Sequence, residues 1–177
     1  SATLTLVQFD TEDSYEVIHS FKAIASIPRL DAATYVPRGG TPLLDAMGRT
    51  ITNLDGWLNS QGEADRPEQI VVVFITDGQE NSSHEYHLEQ VRKMIEGKKK
   101  AGWQFVFLSA DLDAVHESAA MGVCHSQSMS FDKNQMGTQA VFYSLSDKIC
   151  SYRAMEANEV VFSPEDRAAQ ECESKRA

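Results

Sequence analysis

The segment 69–78, with the sequence QIVVVFITDG, constrains the fold of this chain more than any other segment. Residues 70–75 are all apolar, and such a run is typical of a strand that is covered on both faces at the centre of a parallel sheet. The run ends in Thr76-Asp77-Gly78, which places a carboxylate where the strand leaves the sheet. Ligands bind at that edge in open α/β sheets, so Asp77 is a candidate contact for a metal or a substrate. The alternative interpretation is an ordinary Asp-Gly turn.

A second segment, 38–47, has the sequence of a glycine loop that enters a helix, RGGTPLLDAM. Thr41 fits the N-cap position and Pro42 fits the first helical position, where the missing N–H costs nothing. The apolar residues that follow recur at helical spacing and predict an amphipathic helix over residues 42–60. A threonine that only caps this helix would use its hydroxyl on a backbone N–H, which is the alternative to a role for Thr41 in binding.

The pair formed by GGTPLLDA and the later apolar strand ending in TDG resembles the von Willebrand factor A family, in particular its small intracellular bacterial and phage-encoded members. The resemblance covers residues 2–132. It implies a Rossmann-like, doubly wound α/β fold with a mostly parallel sheet and helices on both faces. Residues 2–24 are then an antiparallel hairpin at the edge of the sheet, an interpretation that their alternation of apolar and polar residues also favours.

The family carries a metal-ion-dependent adhesion site at the carboxyl edge of its sheet, and two of the three parts of that site have matches here. The resemblance implies that Thr41 contacts Mg²⁺ or Mn²⁺ directly and that Asp77 contacts the ion through water. The third part, an Asp-x-Ser-x-Ser loop after the first strand, does not occur in the sequence. One hydroxyl and one carboxylate are too few for a tight Mg²⁺ site, so metal binding is conditional on the missing loop.

We therefore expect this chain to be an N-terminally shortened form that lacks the first strand of the family. A sheet without a central strand exposes unpaired apolar edges, which can pair with another chain. The expectation is that the chain dimerises or accepts a strand from a partner. A rearranged sheet, in which residues 2–9 pair directly with residues 69–75, is the alternative.

The resemblance predicts a protein–protein interaction or adhesion module without enzymatic turnover. Gly40 and Gly78 would let the backbone approach a partner closely, and Glu80 and Asn81 would contact a protein partner, whose acidic side chain completes the coordination of the ion. One alternative is a metal-independent scaffold with a degenerate site. Another is a metal-dependent hydrolase that uses the carboxyl edge of the sheet, with Asp77 and Asp111 as ligands.

Other catalytic motifs have little support. The sequence contains no G-x-S-x-G, G-x-G-x-x-G or Walker A motif. His84 and His87 lie three residues apart, whereas a metalloprotease helix places its histidines four residues apart. These two histidines could share a metal with Glu80, but loop histidines without a metal are the commoner case.

Composition limits the partners and the compartment. A net charge of −10 argues against binding to nucleic acids and to anionic membranes. No apolar run has the length of a membrane span, and no signal peptide is recognisable. Three widely spaced cysteines fit neither a disulfide framework nor a zinc site, which favours reduced thiols and a cytoplasmic location.

The 177 residues are sufficient for one domain with a proper core. We predict a domain over residues 1–162, followed by a polar helix and tail over residues 163–177. Strand and helix alternate after residue 69, which predicts parallel βαβ units. The predicted elements after the first strand of this series are a helix over 85–99, a strand over 104–110, a helix over 113–121, a strand over 126–131 and a helix over 134–158.

Overall fold

The computed structural model describes residues 2–31, 34–36 and 38–168, without the side chains of residues 112–114. In this part the chain is a mixed α/β protein. Its main elements are β1 (Thr3–Gln8), β2 (Glu16–Ala23), α1 (Leu43–Ser60), β3 (Val71–Thr76), α2 (Leu88–Lys100), β4 (Gln104–Ser109), α3 (Leu112–Ala120), β5 (Ser128–Ser130) and α4 (Gln135–Arg153). Residues 164–168 are also helical, and the predicted tail beyond them lies outside the described residues. The division at residue 162 stays a prediction.

The strands form two sheets. β1 and β2 pair in antiparallel orientation, with Thr3 opposite Ala23 and Gln8 opposite Glu16, which confirms the predicted hairpin. Its predicted place at the edge of the parallel sheet is wrong for the described residues, because the two strands form a sheet of their own. β3, β4 and β5 form a parallel sheet in that order, which confirms the predicted parallel βαβ units. Among the described residues, no backbone pairing joins β1 to β3, so the alternative in which these two strands pair directly is wrong.

The prediction that the strand of residues 70–75 lies at the centre of the sheet is wrong for the described part of the chain. β4 pairs on both of its edges, whereas β3 pairs only with β4. Burial agrees, because residues 105–109 of β4 are all buried, while Ile75 of β3 is 38% exposed. A run of apolar residues indicates that helices cover a strand, but it does not indicate whether the second edge of the strand is paired.

Helices cover both faces of the parallel sheet. Successive side chains of β4 point to opposite faces, so this strand contributes apolar side chains to a cluster on each side. Phe105 and Phe107 share a buried cluster with residues of α1 and α2. Val106 and Leu108 share a second cluster with residues of α4. Each fully buried side chain of this size contributes about 1.5–3 kcal/mol to folding. β4, with apolar side chains in both clusters, is the structural centre of the domain.

The hairpin packs against α1 through its side chains. The ring of Phe21 stacks on the indole of Trp57, with 3.8 Å between ring centroids. Phe9, just after β1, packs against the core cluster that contains Leu43 and Met47.

Among the described helices, none combines the length and the apolar character that a membrane span requires.

Candidate functional site

Two loops lie side by side at the carboxyl edge of the parallel sheet. The backbone N–H of Thr41 donates to Oδ1 of Asn81 at 2.8 Å, and the N–H of Asn81 donates to the carbonyl of Thr41 at 3.2 Å. A Cβ atom placed on Gly78 would be 3.6 Å from Oγ1 of Thr41, an ordinary contact distance. The loop before α1 and the loop after β3 are therefore adjacent. We call Thr41, Asp77, Gly78 and Asn81, together with Gly40, the sheet-edge site.

The start of α1 differs from the prediction by one residue. The helix begins at Leu43 with Pro42 at the N-cap, and the side chain of Pro42 makes no capping hydrogen bond, so the assignment of Thr41 to the N-cap is wrong. The carbonyl of Thr41 accepts the N–H of Leu43 at 2.9 Å, and the carbonyl of Pro42 accepts that of Ala46 at 3.0 Å. Within the described residues the hydroxyl of Thr41 makes no hydrogen bond to α1.

Glu80 supplies the cap that Thr41 does not. Its Oε2 accepts the N–H of Leu44 at 2.8 Å and the hydroxyl of Ser83 at 2.7 Å, while its Oε1 accepts the N–H groups of Ser82 and Ser83. Burial alone raises the pKa of Glu80, but these hydrogen bonds outweigh burial and hold the pKa below its ordinary value. The carboxylate thus fixes the loop to the first turn of α1, which also favours negative charge there. Its contact with a partner stays a prediction.

Asp45 holds the end of the loop after β3, a role that the sequence analysis missed. Its side chain is buried and accepts the backbone N–H groups of His84, Glu85 and Tyr86 at 2.8–2.9 Å. Burial raises the pKa of Asp45, but the three donors outweigh it and lower the pKa. Within the sequence, an aspartate in the first turn of a helix signals only a favourable dipole interaction, so the burial could not be anticipated.

The same contacts explain why α2 begins later than predicted. The prediction started the helix at residue 85, but it begins at Leu88 after His87. Because the N–H groups of residues 84–86 donate to Asp45, this segment is held as a loop. The N–H of His87 donates to Oε1 of Gln90 at 2.9 Å, which satisfies a backbone donor at the start of α2.

A partly buried ion pair holds the glycine loop against the hairpin. Nε of Arg38 donates to Oδ2 of Asp10 at 2.7 Å, and Arg38 also pairs with Glu16. Burial raises the pKa of Asp10, but the N–H of Glu12 and the guanidinium of Arg38 outweigh it, and the pKa is lowered. Gly39 has a φ of +46°, and a Cβ there would collide with Oγ1 of Thr11 at 2.0 Å. Only glycine fits this crossing of loop and hairpin turn.

Asp77 faces solvent at the end of β3. Its side chain is 84% exposed, and its Oδ2 is 4.0 Å from Nζ of Lys133, a residue between β5 and α4 that the sequence analysis did not single out. Asp111 lies between the end of β4 and the start of α3, where its N–H donates to Oγ of Ser109 at 3.0 Å. In the described part of the chain, no three His, Cys, Asp or Glu side chains form a group that could hold a metal.

The chemistry of the donors determines which ion the sheet-edge site fits. Thr41 and Asp77 offer one hydroxyl and one carboxylate, and oxygen ligands suit Mg²⁺ and Mn²⁺. Mg²⁺ keeps several water molecules when proteins supply few ligands. The two residues therefore fit a weakly held, largely hydrated divalent cation and do not fit a tight site built from protein ligands alone.

Comparison of the chain with protein-family models, curated proteins and solved structures found no match.

Proposed function

We propose that this chain is a protein-binding module of the von Willebrand factor A type, with a partial metal-ion-dependent adhesion site. In this proposal the hydroxyl of Thr41 and the carboxylate of Asp77 hold a hydrated Mg²⁺ or Mn²⁺ ion. The observation that carries the proposal is the pair of hydrogen bonds between Thr41 and Asn81, at 2.8 and 3.2 Å, because they keep the two ligand-bearing loops adjacent. When bound, the ion supplies positive charge that attracts an acidic side chain of a protein partner.

The other residues of the sheet-edge site take different parts in this proposal. Gly40 lets the two loops approach each other, since a Cβ there would be 2.5 Å from Oγ of Ser82. Gly78 leaves room beside the hydroxyl of Thr41. Asn81 holds the backbone of Thr41 and presents an exposed side chain to the partner.

The finer fold assignment belongs to the same proposal. Helices on both faces of a parallel sheet are compatible with a doubly wound, Rossmann-like arrangement. A cytoplasmic location is part of the proposal and depends on the number and spacing of the cysteines.

A metal-independent scaffold is the second candidate, and one observation favours it. Within the described residues nothing pairs with the second edge of β3, and Ile75 beside that edge is 38% exposed. An unpaired apolar edge can add a strand from another chain through backbone hydrogen bonds. In this candidate, partner binding or dimerisation uses the β3 edge and needs no cation.

The test is a titration of the purified protein with Mn²⁺, in which the relaxation rate of water protons reports binding of the ion. Thr41→Val and Asp77→Asn should each abolish the binding. Thr138→Val and Asp147→Asn are matched controls on α4, and they should leave binding unchanged. Asp147 is suitable because its side chain is 70% exposed, close to the exposure of Asp77.

Three other outcomes would overturn the proposal. The absence of Mn²⁺ binding at millimolar concentrations, together with partner binding that resists a chelator, would favour the scaffold. Binding that is insensitive to Thr41→Val but lost in Asp111→Asn would favour the hydrolase alternative. Equal losses in the site variants and in their controls would show that the ion binds elsewhere.

A further inference from the structure

Lys133 approaches the sheet-edge site from the loop after β5. It lies between β5 and α4, and the backbone around it is held at both ends. The N–H of Phe131 donates to the carbonyl of Ser109 at 2.9 Å, and the N–H of Gly137 donates to Oδ1 of Asn134 at 2.8 Å. These two hydrogen bonds hold the backbone that carries Lys133 in place near the site.

The pair of Lys133 and Asp77 is open to solvent. Nζ of Lys133 is 4.0 Å from Oδ2 of Asp77, and the two side chains are 60% and 84% exposed. Exposed ion pairs of this kind contribute little to stability. The ammonium therefore lies near the carboxylate without fixing it, and another cation can displace it.

We propose that Lys133 is a resident competitor that lowers the affinity of the sheet-edge site for divalent cations. The inference rests on the proposed role of Asp77 as a metal ligand. An ion that used Asp77 would share the carboxylate with the ammonium or lie close to it, and like charges repel. The site then binds a cation weakly by itself, and an acidic partner that pairs with Lys133 removes the competitor.

The test compares the dissociation constant for Mn²⁺ in the wild-type protein, in Lys133→Met and in Lys133→Glu. Removal of one positive charge near the ion should tighten binding about threefold to tenfold at low salt, and the charge reversal should tighten it further. The difference should shrink as the salt concentration rises, because salt screens exposed charges.

Lys93→Met is the matched control, since it removes the same charge from an exposed position on α2, where Lys93 is 72% exposed. It should change the affinity by less than about twofold. Equal affinities in the wild type and Lys133→Met, with binding still lost in Asp77→Asn, would overturn the role of Lys133 and leave the proposed site intact. No binding in any variant, or binding that survives Asp77→Asn, would overturn the proposed site as well.

Discussion

The ring of Tyr86 lies directly on the backbone of α1 at Gly48. A Cβ atom at Gly48 would be 2.3 Å from Cδ1 of Tyr86, and the hydroxyl of Tyr86 is 3.2 Å from Oγ1 of Thr52, one turn further along the helix. The aromatic ring thereby fixes the end of the loop that begins at Asp77. The contact links the packing of α1 to the position of the sheet-edge site.

Replacing Gly48 with alanine should destabilise the protein although alanine is the better helix former. The new methyl group would overlap the ring of Tyr86, at a cost of about 1–3 kcal/mol, which exceeds the gain of about 1 kcal/mol in helix propensity. Gly56→Ala is the control on the same helix, since no atom lies within 4 Å of a Cβ there, and it should stabilise by up to about 1 kcal/mol. Urea unfolding measures both changes, and changes of the same sign would contradict the prediction.

Asp45→Asn should lower the free energy of unfolding by about 2 kcal/mol at pH 7. The carboxylate accepts three backbone N–H groups with its two oxygens, whereas the amide has one acceptor oxygen and an NH₂ group that only donates. Asp147→Asn, at an exposed position, should change it by less than about 0.5 kcal/mol. Circular dichroism during urea unfolding gives both values. A loss in Asp45→Asn no larger than in the control would show that the buried carboxylate is not needed.

The pH dependence of stability should follow the lowered pKa values of Asp10, Asp45 and Glu80. A carboxyl whose pKa is lower in the folded state binds more protons in the unfolded state. Its contribution is complete above the unfolded pKa and is lost as the pH falls through the folded pKa. The free energy of unfolding should therefore decrease below about pH 4, less steeply in Asp45→Asn than in the wild type. A stability that is flat between pH 5 and pH 2 would contradict this assignment.

Arg38→Met should loosen the glycine loop, because it leaves the carboxylate of Asp10 buried without its cation. Amide hydrogen exchange at Gly40, whose N–H donates to Oγ1 of Thr11 at 3.2 Å, should become faster by about tenfold or more. Arg92→Met breaks an exposed pair with Glu96 on α2 and should leave that exchange rate unchanged. Unaltered exchange in Arg38→Met would mean that the glycines alone hold the loop.

His19→Leu should stabilise the protein. The imidazole is 5% exposed on β2, and neither ring nitrogen has a hydrogen-bond partner among the described residues. Burial of such a polar group costs about 1–3 kcal/mol, so an apolar side chain of similar size should raise the free energy of unfolding by about 1 kcal/mol. His125→Leu, at an exposed position, is the control. If His19→Leu lowers the free energy of unfolding and His125→Leu does not, the imidazole of His19 has a hydrogen-bond partner and the prediction is wrong.

The β3 edge should make the chain self-associate at micromolar concentration if no other partner covers it. Ile75→Lys places a charge beside this edge, and charged residues of this kind block pairing between sheet edges. Analytical ultracentrifugation should show a concentration-dependent dimer in the wild type and a monomer in Ile75→Lys. Leu88→Lys, which alters an exposed apolar residue on α2, should leave the dimer unchanged. A wild-type protein that stays monomeric at every concentration tested would exclude dimerisation through the β3 edge.

Local sequence patterns predicted most of the elements because the backbone period alone determines which side chains share a face. The alternation in residues 2–24 predicted the hairpin, and the observed strands lie within that range. The order of strands and helices after residue 69 predicted the parallel sheet. Errors occurred at the boundaries, where α1 begins one residue late and α2 three residues late.

The tertiary structure decided those boundaries and the surroundings of the candidate site. Asp45 binds N–H groups that are 39–41 residues away in sequence, and Lys133 approaches Asp77 from two strands away. By itself the sequence determined which segments form strands and helices, and the family resemblance that it carries predicted that Thr41 and Asp77 share one edge, whereas hydrogen bonds between Thr41 and Asn81, 40 residues apart, hold their two loops together. Only the tertiary structure decided which edge of β3 is paired and which charges meet, because such contacts depend on where distant segments close onto each other and not on any local period.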